Sequence, residues 1–229
     1  MAKVLFGIIA TDMRGKLGGH VFAKNRGGAY VRTKVTPVNP QTVAQQSVRA
    51  VFTELTQGWR AISQTKIAAW NSAVQNFPRT NVFGNPKTLS GHQLFVGLNA
   101  QLGAAGQASI TNPPLPVGAD AVESLSAAAA ETGQTFSVAY LPATVPSGHT
   151  AILDATAQVS PGQTNLNNKF RQVSTIAAAG TSPEDFAAAY TAKFGDLIAG
   201  QKIGIRMRFV NNLTGEVSGN IKAQFRVNL

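Results

Sequence analysis

Apolar residues recur at intervals of three and four between residues 48 and 102, and at intervals of two on both sides of that stretch. The first spacing is that of a helix face and the second that of a strand face, so the pattern predicts a helical middle flanked by strands. In the middle, Val48, Val51, Phe52, Leu55, Trp59 and Ile62 form one stripe. Asn39-Pro40 predicts the start of that helix, with Asn as N-cap and Pro at the first helical position. Gly58 lies inside the run at a propensity cost of about 1 kcal/mol. Ser63 caps a second predicted helix with the face Ile67, Trp70, Val74 and Phe77, closed by Pro78. Ser90 caps a third, with Leu94, Phe95, Leu98 and Leu102 inward and Gly103 or Gly106 as its stop. Trp59 and Trp70 fall on facing stripes of an antiparallel pair and are expected in its core.

Before the helices, short β-favouring runs alternate with glycine turns. Val4-Leu5-Phe6 opens the chain, and the first ten residues read as a strand. Gly7 breaks their apolar run and Asp12, Arg14 and Lys16 follow at once, unlike a secretory leader. Leu17 to Phe22 and Ala29 to Val35 flank the turn Arg26-Gly27-Gly28 as a hairpin. Alternation puts Tyr30, Arg32 and Lys34 on one face of the second run, and Ala29, Val31, Thr33 and Val35 on the other. Pro37 and Pro40 end it.

After the helices, glycine and proline collect at 107–120, including Asn112-Pro113-Pro114-Leu115-Pro116. Such segments are extended and semi-rigid. The expected organisation is therefore an assembly domain of basic β-hairpins and helices at 1–106, a connector at 107–120, and a β domain at 121–229. In the last part, Thr135 to Tyr140, Thr150 to Ala157 and Phe170 to Ile176 read as strands. Ser182-Pro183-Glu184-Asp185 reads as a helix start, with acids against the positive end, before Phe186, Tyr190 and Phe194. The final two strands are the clearest. Ile203, Ile205, Met207 and Phe209 point inward on one; Ile221, Ala223, Phe225 and Val227 do so on the other. About seven short strands with turn signals predict an immunoglobulin-like or fibronectin-like β-sandwich. The fold class is α+β: N-terminal basic β-hairpins, a three-helix segment, then the sandwich.

Charge divides the chain more sharply than pattern does. The net charge is +10, and all of it lies in residues 1–104, which hold twelve Lys/Arg and two Asp/Glu. Residues 105–229 hold eight of each. The excess is densest at the start, which favours an acidic protein surface or a polyanion. The residues expected to make that contact are Arg14, Lys16, Lys24, Arg26, Tyr30, Arg32 and Lys34. A second basic face is expected on the last hairpin, where Lys202, Arg206, Arg208, Lys222 and Arg226 all point outward. It is either a docking face or a charged guard on a sheet edge. Charged residues make up 13% of the chain, about half the usual share, and a surface so thinly charged fits a subunit covered by neighbours.

Reactive chemistry is sparse. There is no cysteine, which removes disulfides, thiol catalysis and thiolate metal sites. No apolar run approaches the about 20 residues that span a bilayer. His20, His92 and His149 stand apart, without the spacing of a metal helix. The acid pair Glu184-Asp185 is accounted for by the helix start. Arg14-Gly15-Lys16-Leu17-Gly18-Gly19 lacks the spacing of a phosphate-cradling loop, and no nucleophile elbow occurs. No enzyme, cofactor, metal, membrane or small-molecule substrate is expected.

Several motifs occur in order along the first half: Arg14-Gly15-Lys16-Leu17-Gly18, Tyr30-Val31-Arg32, and Pro37-Val38-Asn39-Pro40-Gln41-Thr42-Val43-Ala44-Gln45. Ala68-Ala69-Trp70-Asn71 and Leu89-Ser90-Gly91-His92-Gln93-Leu94-Phe95 follow. Over roughly 7–106 this series resembles a family of small structural proteins of tailed phages and prophages, of the kind found in Bacteroidetes. The resemblance implies a virion protein associated with capsid, neck (the head-tail connector) or tail, assembled in the host bacterial cytoplasm. Its implied partners are other virion proteins, copies of itself in a homo-oligomer, and packaged DNA where the basic region lies near it. No catalytic residue carries over. The alternative is a nucleic-acid-binding protein without sequence preference, gripping phosphates beside Phe22 and Tyr30. A carbohydrate-binding adhesin follows only from the sandwich and lacks the exposed aromatics such a site uses.

Overall fold

A computed structural model describes residues 2–7 and 12–229. It is α+β, and its contacts divide it into two units, Met1–Val96 and Gly97–Leu229.

The first unit opens with a four-stranded antiparallel sheet. Its strands are β1 (Ala2–Lys3), β2 (Gly15–Leu17), β3 (His20–Asn25) and β4 (Gly28–Thr33), in the spatial order β1-β4-β3-β2. Chain reversal between β3 and β4 uses Arg26-Gly27, with Gly28 at φ +100°, a conformation that favours glycine. At the chain start only Ala2–Lys3 pairs as strand, so Val4-Leu5-Phe6 is not one; Ile8, Ile9 and Ala10 lie outside the described residues.

Three helices follow: α1 (Val43–Ala61), α2 (Gln64–Ala73) and α3 (Gly91–Ala104). Thr42, not Asn39, caps α1, its hydroxyl accepting from the Gln45 N–H at 3.3 Å. Gln41 is at φ +48°, which breaks the helical path and leaves Pro40 outside. Asn39 instead accepts from Arg49 Nη2 at 2.9 Å. Ser63 caps α2 as expected, accepting from the Lys66 N–H at 3.4 Å. Ser90 and Gln93 form a reciprocal capping box at α3, with bonds of 3.2 and 3.0 Å. A ribbon of β5 (Arg79–Thr80) and β6 (Pro86–Lys87) lies between α2 and α3. The core of this unit contains Leu55, Trp70, Ala73, Val74, Phe77, Leu94 and Phe95. Trp70 meets Phe95 edge-on at 5.4 Å, and Trp59 packs on the same ring at 5.4 Å. Gly91 makes the α2–α3 approach close: its N–H donates to Asn71 Oδ1 at 3.1 Å. A Cβ there would lie 2.9 Å from the Asn71 backbone nitrogen. The α1 stripe is buried only toward its C-terminal end; Val43, Val48, Val51 and Phe52 are exposed.

The second unit begins within α3. Gly106, at φ +73°, ends that helix. Gln107 N–H donates to Leu102 O at 2.8 Å and Gly106 N–H to Gly103 O at 3.1 Å, a complete Schellman closure. The Gly/Pro-rich stretch that follows is tied down. Buried Asn99 exchanges two hydrogen bonds with Ile110, and Glu216 Oε2 accepts from the N–H groups of Val117 and Gly118 at 2.9 and 2.7 Å.

Beyond it lie seven strands: β7 (Ser124–Ala130), β8 (Thr135–Leu141), β9 (His149–Ala155), β10 (Arg171–Ile176), β11 (Glu184–Asp185), β12 (Lys202–Asn211) and β13 (Ile221–Arg226). They form two antiparallel sheets, β11-β8-β7 and β10-β9-β12-β13, which share one core. Phe136, Val138 and Tyr140 enter it from β8, Leu153 and Ala155 from β9, and Ile203, Ile205, Met207 and Phe209 from β12. The short helix α4 (Ala187–Phe194) adds Tyr190, whose hydroxyl donates to Thr156 O at 2.9 Å.

Two sequence expectations fail here. Glu184-Asp185 do not begin a helix. They pair with Val138 and Ser137 of β8, and Ser182 Oγ accepts from the Tyr140 N–H at 2.8 Å instead of capping. The segment therefore completes a sheet whose backbone groups need partners. β9 also does not alternate, because it is buried on both faces: Ile152 packs with Ala105 and Val210 on the side away from the main core.

Candidate functional site

Residues directly opposite on antiparallel strands share a face, so the strand register sorts the basic N-terminal residues. Lys16, Val21 and Arg32 form one row across β2, β3 and β4. Ala23, Tyr30 and Lys3 form the next row on the same face. The opposite face carries Leu17, His20 and Thr33, then Phe22 and Val31, then Lys24 with Ala29. Of the seven residues expected to act together, Lys16, Tyr30 and Arg32 therefore share a face and Lys24 is on the other. Arg26 sits in the β3–β4 turn, and Arg14 and Lys34 each stand one residue outside a strand.

No residue in 2–7 or 12–34 is fully buried. Leu5 and Leu17 stay 72% and 64% exposed, although a sheet of this size ordinarily needs one face covered. Compensating charge is thin. Asp12 lies 3.4 Å from Arg14 and 3.8 Å from Lys24, and such exposed pairs contribute about 0–1 kcal/mol. No ion pair among the described residues involves Lys16, Arg26 or Arg32.

A concave feature adjoins the turn. A cleft of about 450 Å³ is lined by residues from β1, the β3–β4 turn, the β5–β6 ribbon and the first turn of α3. Its cations are Lys3, Arg26 and Lys87, and no acid among the described residues lines it. Lys3 Nζ donates to the Gly27 carbonyl. Arg79 is the cross-strand partner of Lys87. Of the cleft's three cations, only Arg26 is among the residues expected from the sequence; Lys3 and Lys87 are not, because nothing local ties either to the turn. What this region can do is hold oxyanions. Among the described residues, no group of three or more His, Asp or Glu side chains is placed to hold a metal ion. Nor, among the described residues, is any helix long and apolar enough to cross a membrane.

No family model and no curated protein matches this chain.

The second basic face differs from its expected form. Register puts Lys202 opposite Arg226, and Arg206 opposite Lys222 on one side and Asp154 on the other. Asp154 is 3% exposed. Its Oδ2 accepts from Arg206 Nε at 2.9 Å, from Arg206 Nη2 at 2.7 Å and from Arg208 Nη1 at 2.7 Å. Arg206 also lies over the Phe170 ring at 5.0 Å. The loop after β9 covers this area. Lys202 Nζ donates to Gln163 O and Lys222 Nζ to Asn167 Oδ1. Gly204 leaves the room, since a Cβ there would lie 2.8 Å from Leu166 Cδ1. Two of the five cations are thus held by an internal carboxylate, while Lys222 and Arg226 remain exposed.

Proposed function

We propose that this chain is a phage virion structural protein, associated with capsid, neck or tail, that docks its basic N-terminal region onto acidic neighbours in a multi-subunit assembly. The observation that carries the reading is the N-terminal sheet: four strands, cationic on one face, with no fully buried residue among those described. A sheet gains little from hydrogen bonds alone; burial of a face stabilises it. A neighbour that covers this sheet supplies the missing burial, and an acidic one answers Lys16, Arg32 and Lys3, which have no carboxylate partner among the described residues. The exposed apolar stretch of α1 supports the same reading, since exposed apolar patches mark interaction sites. The ordered motif series of the first half supports the phage assignment. We read the second unit as an immunoglobulin-like or fibronectin-like module. Seven antiparallel strands in sheets of three and four support this, although β10 extends the sheet of β9 where the constant-type arrangement places its fourth strand in the other sheet.

Amide hydrogen exchange tests the docking. Residues 2–7 and 12–34 exchange fast in the isolated chain and become protected in the assembled particle. Equal protection in both states refutes the reading. The nucleic-acid alternative draws on Tyr30 set between Lys3 and Ala23, beside Arg32, on one face. It requires DNA affinity that falls steeply with salt, by several log units per log unit. Absence of binding at about 0.1 M salt leaves protein docking alone.

A further inference from the structure

We propose that the cleft at the β3–β4 turn is the seat of an acidic peptide segment from the docking partner, held by Arg26, Lys87 and Lys3. The proposal rests on the docking reading above and assigns it a place. Three separate parts of the chain converge there: β1, the turn, and the β5–β6 ribbon. Each supplies one cation, and no carboxylate among the lining residues cancels them. Lys87 and Arg26 are exposed and make no ion pair or hydrogen bond through their side chains among the described residues. Around them lie neutral hydrogen-bonding side chains, Asn25, Asn81, Thr80, Thr88 and Gln93. Three cations with no carboxylate partner among the described residues exceed what one carboxylate needs and suit a run of them.

The shape and lining choose between polyanions. A volume of about 450 Å³ falls within the about 300–1,000 Å³ of sites that take small ligands or short segments. A DNA duplex cannot enter it. Single strands are gripped by stacking bases on aromatic rings, and no aromatic side chain lines the cleft. An extended Asp/Glu-rich segment needs only charge and hydrogen-bond donors, and the cleft offers both. Lys3 shares the sheet face of Lys16, Tyr30 and Arg32, so the cleft adjoins that face. Arg26 and Lys87 lie off it in the turn and the ribbon, and Lys16 and Arg32 do not line the cleft, so the two pairs can be varied apart.

The probes are hexaglutamate, hexaglutamine and a 20-base-pair DNA, titrated into the full chain at low salt and followed by calorimetry. Hexaglutamate binds and hexaglutamine does not. The double variant Arg26→Gln/Lys87→Gln weakens hexaglutamate about fivefold or more, as expected for two partly exposed ion pairs. Lys16→Gln/Arg32→Gln leaves it within twofold. Trp emission from Trp59 and Trp70 verifies that each variant is folded, and Lys87→Gln alone repeats the test with a smaller loss. If the Lys16/Arg32 pair carries the affinity instead, the cleft assignment is overturned while docking by the basic region stands. If hexaglutamate binds no better than hexaglutamine, or DNA displaces it with higher affinity at matched charge, the assignment is overturned as well. Exchange protection in the particle then judges the docking reading independently.

Discussion

Asp154→Asn removes one charge and almost no volume from the second unit. In the native chain a single oxygen, Asp154 Oδ2, takes three charge-assisted hydrogen bonds from two arginines. The side chain of Asp154 is 4% exposed, and those of Arg206 and Arg208 are 25% and 15% exposed. Removing one partner of a buried pair costs about 3–5 kcal/mol, because the remaining charge stays desolvated. Both guanidinium groups keep some access to water, so the lower end applies, about 3 kcal/mol. With a urea slope of about 2 kcal/mol/M, the unfolding midpoint falls by about 1.5 M. Both tryptophans, Trp59 and Trp70, lie in the first unit. Trp emission therefore reports that unit, and far-UV circular dichroism of the β signal follows the second. The variant shifts the β transition, and the Trp transition moves with it only as far as the two units, which share α3, unfold together. Adding Arg208→Met recovers part of the loss by removing one stranded charge. A midpoint shift below about 0.3 M refutes the assignment of this carboxylate as the keystone of the arginine pair.

Two further outcomes follow from particular contacts. Burial raises the Glu184 carboxyl above its ordinary 4.5, and its Oε2 is buried without a hydrogen-bond partner among the described residues. A raised folded pKa means that the protonated form is favoured in the fold; this contribution is complete below the unfolded value and is lost as pH rises through the folded one. Glu184→Gln therefore matches the native chain near pH 4 and exceeds it in stability near pH 7, read from urea midpoints; a difference independent of pH refutes the burial effect. Gly91→Ala forces a Cβ to within 2.9 Å of backbone at Asn71. The overpacking costs about 1–3 kcal/mol, more than the at most about 1 kcal/mol of helix propensity gained, so the Trp-detected transition moves down; an unchanged or raised midpoint refutes the tight α2–α3 approach.

α2 and α3 were legible because their spacing and caps are local, whereas α1 begins after Thr42 rather than Asn39 and leaves Val48, Val51 and Phe52 of its stripe exposed. Ser63, Ser90 and Gly106 each act on the turn beside them, and the stripe Trp70, Val74, Phe77 followed by Leu94, Phe95, Leu98 and Leu102 is buried as its period predicts. The last two strands were legible for the same reason. β7 was not: Ser124–Ala130 reads Ser-Leu-Ser-Ala-Ala-Ala-Ala, and alanine is a helix former. Seven cross-strand partners in β8 outweigh that preference. Glu184-Asp185 misled because a hydroxyl, a proline and two acids have the composition of a helix start, while their role was settled by an unpaired edge of β8. Alternation correctly put Arg206 and Arg208 on one face. It could not reveal Asp154, which sits in a strand with no alternation of its own and meets them only through register. The cleft was invisible for a related reason, since residues 3, 26 and 87 converge only in three dimensions.

The N-terminal sheet has no interior to protect. Its cationic side chains are held by little packing, so on the docking reading proposed above, changes to them leave the melting of the free chain nearly untouched and register in assembly. If a neighbour rests upon it as proposed, such a surface drifts in step with that neighbour's sequence, while the seven-strand half drifts in step with itself.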